Sequence, residues 1–253
     1  MHSDTVQIMD FAVALGVEVL VRGGELWRVE EVINSIFHTY GLQDGGIFML
    51  PHTLIISARA ENEEEPVIRQ KNVGEIVVDM EELSRLTALI HKVHEEKPMP
   101  GELMGMLRDA IQGKHYSAYM TVCGMVIALL SLNYLIGGDL IDAAFIGFGI
   151  AVVMGADIYL SSIPGTQKMV VSALGSFAIG LIDVIGYRMG IITDPFHVMV
   201  VTAIGLVPGI PLINSCREIL CGRVLCGSLL FMQAFMGVLA VVCGFGVALA
   251  IGY

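Results

Sequence analysis

A membrane α-helical bundle of about five transmembrane helices, preceded by a small cytoplasmic α+β domain, is the fold class this sequence predicts. Three observations lead there. The chain is too apolar for an ordinary soluble domain: 55% of its 253 residues are hydrophobic, only 15% are charged, and the mean hydropathy is +0.74. Its charge is segregated, with 19 acids and 10 bases in residues 1–115 against 6 acids and 4 bases in residues 116–253. The second region carries uncharged runs, each able to supply the helix of ~20 residues that crosses a bilayer.

Taken in order, the first region reads as alternating helix and strand. Val6, Met9, Val13, Val17 and Leu20 fall at spacings of three and four, which predicts an amphipathic helix over 5–21. Gly23-Gly24 interrupts it. A second helix runs from about Glu25 to Tyr40, with Leu26, Val29, Ile33, Ile36 and Phe37 on one side and Gly41 as its stop. Gly46–Leu50 and Thr53–Ala60 read as strands joined at Pro51-His52, and Val67–Asn72 returns as a third after the acidic run Glu61–Glu65. Asp79 caps a helix from about Met80 to Glu95 with a buried stripe of Leu83, Leu86, Leu89, Ile90 and Val93. Beyond Pro98 and Pro100, a short amphipathic helix (Leu103, Met106, Leu107, Ala110, Ile111) leads to the membrane. This is an α+β domain of roughly 95 residues, large enough to bury a core.

The membrane region, 116–253, starts near Lys114–Tyr116 and divides into spans at about 117–137, 140–160, 169–187, 195–215 and 227–252. Gly137-Gly138-Asp139, the loop Ser161–Lys168 with Pro164-Gly165, Arg188–Asp194, and the segment with Arg217, Glu218 and Arg223 separate them. Five spans place the two ends on opposite sides. With the N-terminus in the cytoplasm, Lys114, Lys168, Arg217 and Arg223 lie inside and only Arg188 outside, the sense the positive-inside rule favours. No signal peptide is visible, because Asp4 and Asp10 stand where a basic start would.

Gly205–Ser215 carries the functional signal. It lies in a run from Pro195 to Cys216 without Asp, Glu, Lys or Arg, yet Pro208 and Pro211 each remove a backbone donor and Gly209 loosens the chain between them. Freed carbonyls in such a span must be covered by protein or water. Two readings stay open: a packed proline kink, and a discontinuous helix at a transport site. Asp157 and Asp183, ionisable groups within apolar runs, belong to the bundle interior or to water, with solvation near a helix end as the plain alternative. Asn133 suits an interhelical hydrogen bond, and Gly147, Gly149, Gly155 and the Gly205/Gly209 pair suit close helix packing. The candidate substrate-binding set is thus Pro208, Gly209, Pro211, Asn214, Asp183, Asp157 and Asn133, with Glu218 just beyond the break.

Other chemistries are disfavoured. A net charge of −11 argues against nucleic acid as a partner. Cys216, Cys221 and Cys226, spaced by five, match no zinc pattern and, with Cys123 and Cys243, read as apolar filler. His91 and His94 beside Glu95 and Glu96 lack a third ligand of convincing spacing. No nucleophile elbow or phosphate-cradling loop appears, so neither an enzyme nor a cofactor or metal is expected.

The stretch Leu206-Val-Pro-Gly-Ile-Pro-Leu-Ile-Asn214, followed by an acidic residue and Gly222, resembles the threonine/serine exporter (ThrE) family, most closely its shorter, YjjP-like members. The Gly-Gly-Glu-x-x-Arg-Val-Glu stretch, Gly23–Glu30, is similar to that family's second signature, and the order of domain and spans matches over nearly the whole chain. Glu218 stands where the family pattern has Asp. The resemblance implies a subunit of a secondary transporter exporting threonine, serine or a dicarboxylate such as succinate across the bacterial cytoplasmic membrane. It marks Gly24, Glu25 and Arg28 as a cytoplasmic motif. It also implies a second small membrane subunit, YjjB-like, since longer members carry a second membrane half and this chain ends at Tyr253. The substrate is then a small carboxylate-bearing metabolite, and a homo-oligomer is compatible with the helix faces. The rival from another class is a membrane-anchored sensor or scaffold whose cytoplasmic domain binds a regulator; a broken span and interior acids are features an anchor does not need.

Overall fold

The computed structural model describes residues 2–61, 65–74, 76–113, 117–160 and 168–252. The expected boundary at Lys114–Tyr116, Tyr253, residues 62–64 of the acidic run and residues 161–167 of the Ser161–Lys168 loop lie outside the described residues. The chain is mostly helical with one small sheet near the N-terminus. It divides into two compact units: Met1–His115 with Asn214–Leu229, and Tyr116–Ile213 with Leu230–Tyr253.

In the first unit, α1 (His2–Val21) is the axis of the core. The sequence predicts an amphipathic helix here, but Phe11, Ala12, Leu15 and Val19 are as thoroughly buried as Met9 and Val13. The reason is packing on several sides, because α1 meets two strands of the sheet as well as α2 (Leu26–Thr39) and α4 (Pro100–Ile111). A helix that is apolar nearly all round is a core helix. The sheet is antiparallel in the order β1 (Leu42–Leu50), β2 (Thr53–Ala60), β3 (Val67–Asn72). β1 starts earlier than the strand expected from Gly46, since a bulge between Gln43 and Gly46 lets Leu42 and Gln43 pair with Ala60 and Arg59. Leu54, Ile56 and Ala58 of β2 alternate into the core, as period-two side chains must.

α3 (Met80–Glu96) is capped as the sequence predicts, Asp79 accepting from the Glu82 amide at 2.9 Å. Leu86, Leu89 and Val93 are buried, whereas Leu83 and Ile90 of the expected stripe are only half-buried. Glu82 takes the buried place instead, with Arg22 Nε 2.9 Å from its Oε1. A charge is tolerated there because its partner comes with it.

The second unit is built from α5 (Ala118–Leu135), α6 (Leu140–Leu160), α7 (Lys168–Arg188), α8 (Pro195–Leu206) and parts of α9 (Gly209–Leu220) and α10 (Val224–Gly252). Leu129, Ile146, Ile150, Ile192, Val198 and Val201 form one apolar cluster. Val153, Ile179, Val184, Met199, Val241 and Phe245 form another. Asp139 caps α6 through the Ile141 and Asp142 amides, both at 2.8 Å. Asp194 does the same for α8, with Pro195 in the first helical turn.

Three described helices are long and apolar enough to cross a membrane: Leu140–Asp157 within α6, Met169–Arg188 in α7, and Val224–Gly252. α8 and α9 pass that test only as a pair, bent by 61°, and α5 supplies the shorter apolar stretch Tyr119–Leu135. Their apolar faces stay uncovered by protein, as at Leu135, Phe148, Leu174 and Val242. In a bundle that is the surface lipid covers.

Candidate functional site

The break in the charge-free run falls at Val207-Pro208. Val207 leaves the helix with extended backbone (φ −73°, ψ 130°), its amide still reaching Ala203 O at 2.9 Å. Pro208 has no N–H, so the Ile204 carbonyl loses the donor a continuous helix would offer. The Gly209 amide turns back to Val207 O at 2.8 Å, Pro211 has none to give, and Leu212 N–H opens the new ladder at Pro208 O at 3.2 Å. Among the described residues, the Ile210 amide of this first turn of α9 is left over. Pro208, Gly209, Pro211 and Asn214 are each half-buried. The Pro208 ring sits over Gly237 of α10, where a Cβ would come within 3.3 Å of it.

Asn133, fully buried at the end of α5, is committed to structure. Its Nδ2 donates to Asp139 O at 3.1 Å and its Oδ1 pairs with His197 Nε2 at 3.0 Å, tying the α5–α6 turn to the first turn of α8. Because Oδ1 accepts, this contact assigns the proton on His197 to Nε2. Asp183 is different. It is 0% exposed in α7, and among the described residues neither carboxylate oxygen has a hydrogen-bond partner. Asp157, in the last turns of α6, is half-buried. An apolar cavity of about 200 Å³ opens between α6 and α7, lined by Gly149, Val153, Gly175 and Ile179 among others, and holds none of the expected site residues.

The first unit brings together two stretches that the sequence keeps 191 to 193 residues apart. The α1–α2 turn is tight: the Gly24 amide donates to Val19 O at 2.8 Å, and a Cβ on Gly24 would meet that same oxygen at 2.6 Å. Glu25 then takes the N-cap position of α2 in extended backbone, but its side chain makes no cap bond. It goes to Arg217 Nη1 at 2.6 Å and to the Trp27 indole N–H. The α2 amide at Trp27 donates instead to Glu218 Oε1 at 3.4 Å, a long bond that still places a carboxylate against the positive end of the helix. Glu218 is 1% exposed, and its Oε2 lies 3.5 Å from Arg223 Nη1. Arg223 also pairs with Glu30, and Arg217 lies over the Trp27 ring at 5.1 Å. Gly222, at φ +87°, lets the chain turn so that the Arg223 amide bonds Glu218 O at 3.0 Å. Burial opposes the charge on Arg223, but the hydrogen bond and charge of Glu30, with Glu218 beside it, outweigh that and hold its pKa above the ordinary arginine value.

Of the cytoplasmic motif expected from sequence, Glu25 joins this cluster, Gly24 shapes the turn, and Arg28 points away to Thr87 Oγ1 of α3 at 3.0 Å. The sequence reading does not assign Trp27, Glu30, Arg217, Arg223 or His197 to any site. Trp27 and Glu30 sit inside the Gly23–Glu30 stretch and Arg217 and Arg223 flank Glu218, so both halves were in view while their meeting was not. Among the described residues no three His, Cys, Asp or Glu side chains are grouped to hold a metal ion. His94 shares a 2.5 Å hydrogen bond with Thr39 Oγ1.

The model of the ThrE family, described as "Putative threonine/serine exporter", matches residues 10–252. No curated protein and no solved structure matches the chain.

Proposed function

Because the chain belongs to the threonine/serine exporter family, a family of membrane transporters, we propose that it exports a small amino acid across the cytoplasmic membrane through the break in α8–α9. The single observation that carries this is the 61° bend inside a charge-free run of a chain in this family. Broken helices at membrane depth occur where protein or water covers the freed backbone, which is where secondary transporters bind. The Ile210 amide at the start of α9 suits a substrate carboxylate, and Asn214 adds a directional hydrogen bond. Asp183 takes up positive charge, from the substrate's ammonium or from a coupling proton, because a buried carboxylate without a hydrogen-bond partner among the described residues is costly. Asp157 is a further acid for the same path.

The chain crosses the membrane five times, counting α5 and taking α8 with α9 as one span, with the N-terminus inside. Support comes from the first unit: Arg217 and Arg223 pair there with Glu25 and Glu30, so the α9–α10 turn shares a side with the N-terminal domain. A reporter active only outside the cell, fused after Tyr253, is expected to be active. Silence there, with activity from a fusion in the Ser161–Lys168 loop, overturns this topology.

Export is a joint activity with a second small membrane subunit. Gly124, Gly155 and Gly246 have nothing within 4 Å of where a Cβ would stand, among the described residues, which leaves small-residue surface of the kind through which membrane helices approach. Vesicles holding the chain with its partner are expected to move labelled threonine and serine, and the chain alone to move neither. Succinate, which shares the carboxylate but lacks the ammonium, tests whether Asp183 selects the substrate. Substrate-specific flux from the chain alone refutes the joint activity, and no flux of any of the three from the pair refutes the exporter reading.

A further inference from the structure

We propose that Glu25, Trp27 and Glu30 are positioning residues for the helix after the break, acting through Glu218, Arg217 and Arg223 to set the rotation of α9 and so the aim of Asn214. Two features of the cluster lead to this. The first is that α2 lacks a cap from its own N-cap side chain, and the carboxylate at its N-terminus belongs to Glu218 instead. The second is that Glu218 is buried, with one oxygen on the Trp27 amide and the other toward Arg223.

A half-exposed pair such as Glu25–Arg217 holds little by itself, since water screens it and ordering two long side chains costs entropy. Glu218 is the strong point. Removing a partner from a buried charge leaves it uncompensated, so Glu218 keeps its place only while Trp27 and Arg223 keep theirs. Asn214 and Glu218 stand four residues apart on one helix, which places them on one face about one turn apart. Whatever fixes Glu218 therefore fixes the direction in which Asn214 points. Ser215, three residues before Glu218, is buried on the neighbouring side and limits rotation the same way. Glu30 and Arg217 brace the two arms of the cluster, through Arg223 and through the Trp27 ring.

This inference rests on the exporter reading only for its transport readout. Trp27 is the single tryptophan in the chain, so its emission reports the cluster directly. In the full chain with its partner subunit, Glu218→Ala is expected to shift Trp27 emission and to raise the half-saturation concentration for threonine export about tenfold, the parameter that loss of Asn214 also raises, because Asn214 is then misaimed. Glu218→Gln keeps an acceptor for the Trp27 amide and recovers the emission and part of the affinity. Glu30→Ala combined with Glu218→Ala falls no further than Glu218→Ala alone, because the two act through one contact chain. Losses that multiply overturn the proposal, as does a raised half-saturation concentration with Trp27 emission unchanged, which would make Glu218 a substrate contact. Should the wild type export neither threonine nor serine, the exporter reading falls and amide hydrogen exchange decides this one. Faster exchange across residues 212–220 in Glu218→Ala upholds it, and unchanged exchange overturns it.

Discussion

Asn214→Ala is expected to raise the half-saturation concentration for export about ten- to a hundredfold, the worth of one hydrogen bond to a charged group, while the protein stays in the membrane at its normal level. Asn214 stands three residues past Pro211, half-buried on the helix that follows the break. Pro208→Ala acts by a different route. It restores the N–H that can bond Ile204 O and removes a ring worth about 3 kcal/mol against a continuous helix. Export then falls because the straight helix is favoured, with the substrate side chains intact. The packed-kink alternative predicts the reverse: Pro208→Ala tolerated, and Asn214→Ala felt only through abundance. Flux and membrane abundance of the two variants separate these cases, and normal transport by both ends the binding-site reading.

Asp183→Asn is expected to abolish export and at the same time to raise the melting temperature of the purified complex. The opposite signs follow from the environment. Asp183 is fully buried and among the described residues neither oxygen has a hydrogen-bond partner, so no structural bond there is one that asparagine could lose. An ionisable group in that position costs several kcal/mol, and replacing it with an uncharged isostere relieves part of that cost. A chain keeps such a group because function uses it, the usual trade between stability and activity. Asn133→Ala offers the contrast. It cuts the links to Asp139 and His197, and is expected to lower stability and transport together. Thermal unfolding in detergent and flux in vesicles measure both. Full export by Asp183→Asn, or a lowered melting temperature with it, removes Asp183 from the transport path.

Much of this was legible from composition and local pattern. The Asp79 cap, the strands at Thr53–Ala60 and Val67–Asn72, and the interruption at Pro208 follow from short-range chemistry: a side chain that accepts from an amide three residues on, β-branched alternation, a ring without an N–H. Long apolar runs with few charges marked the apolar helices for the same reason, because the cost of charge in a membrane falls residue by residue. What periodicity misjudged was α1, read as amphipathic and found buried nearly all round. A period reports which face is most apolar, and only the packing of sheet, α2 and α4 around the helix decides how many faces are covered. The same limit hid the ionic cluster. Glu25, Trp27 and Glu30 lie in one conspicuous stretch and Arg217, Glu218 and Arg223 in another, yet the sequence holds no term linking positions 191 residues apart. That Glu218 caps α2, that Asn133 is tied to His197, and that Asp183 has no hydrogen-bond partner among the described residues are properties of three-dimensional neighbours, and the tertiary structure alone decided them, since a hydrogen bond forms only between groups the fold brings within about 3 Å.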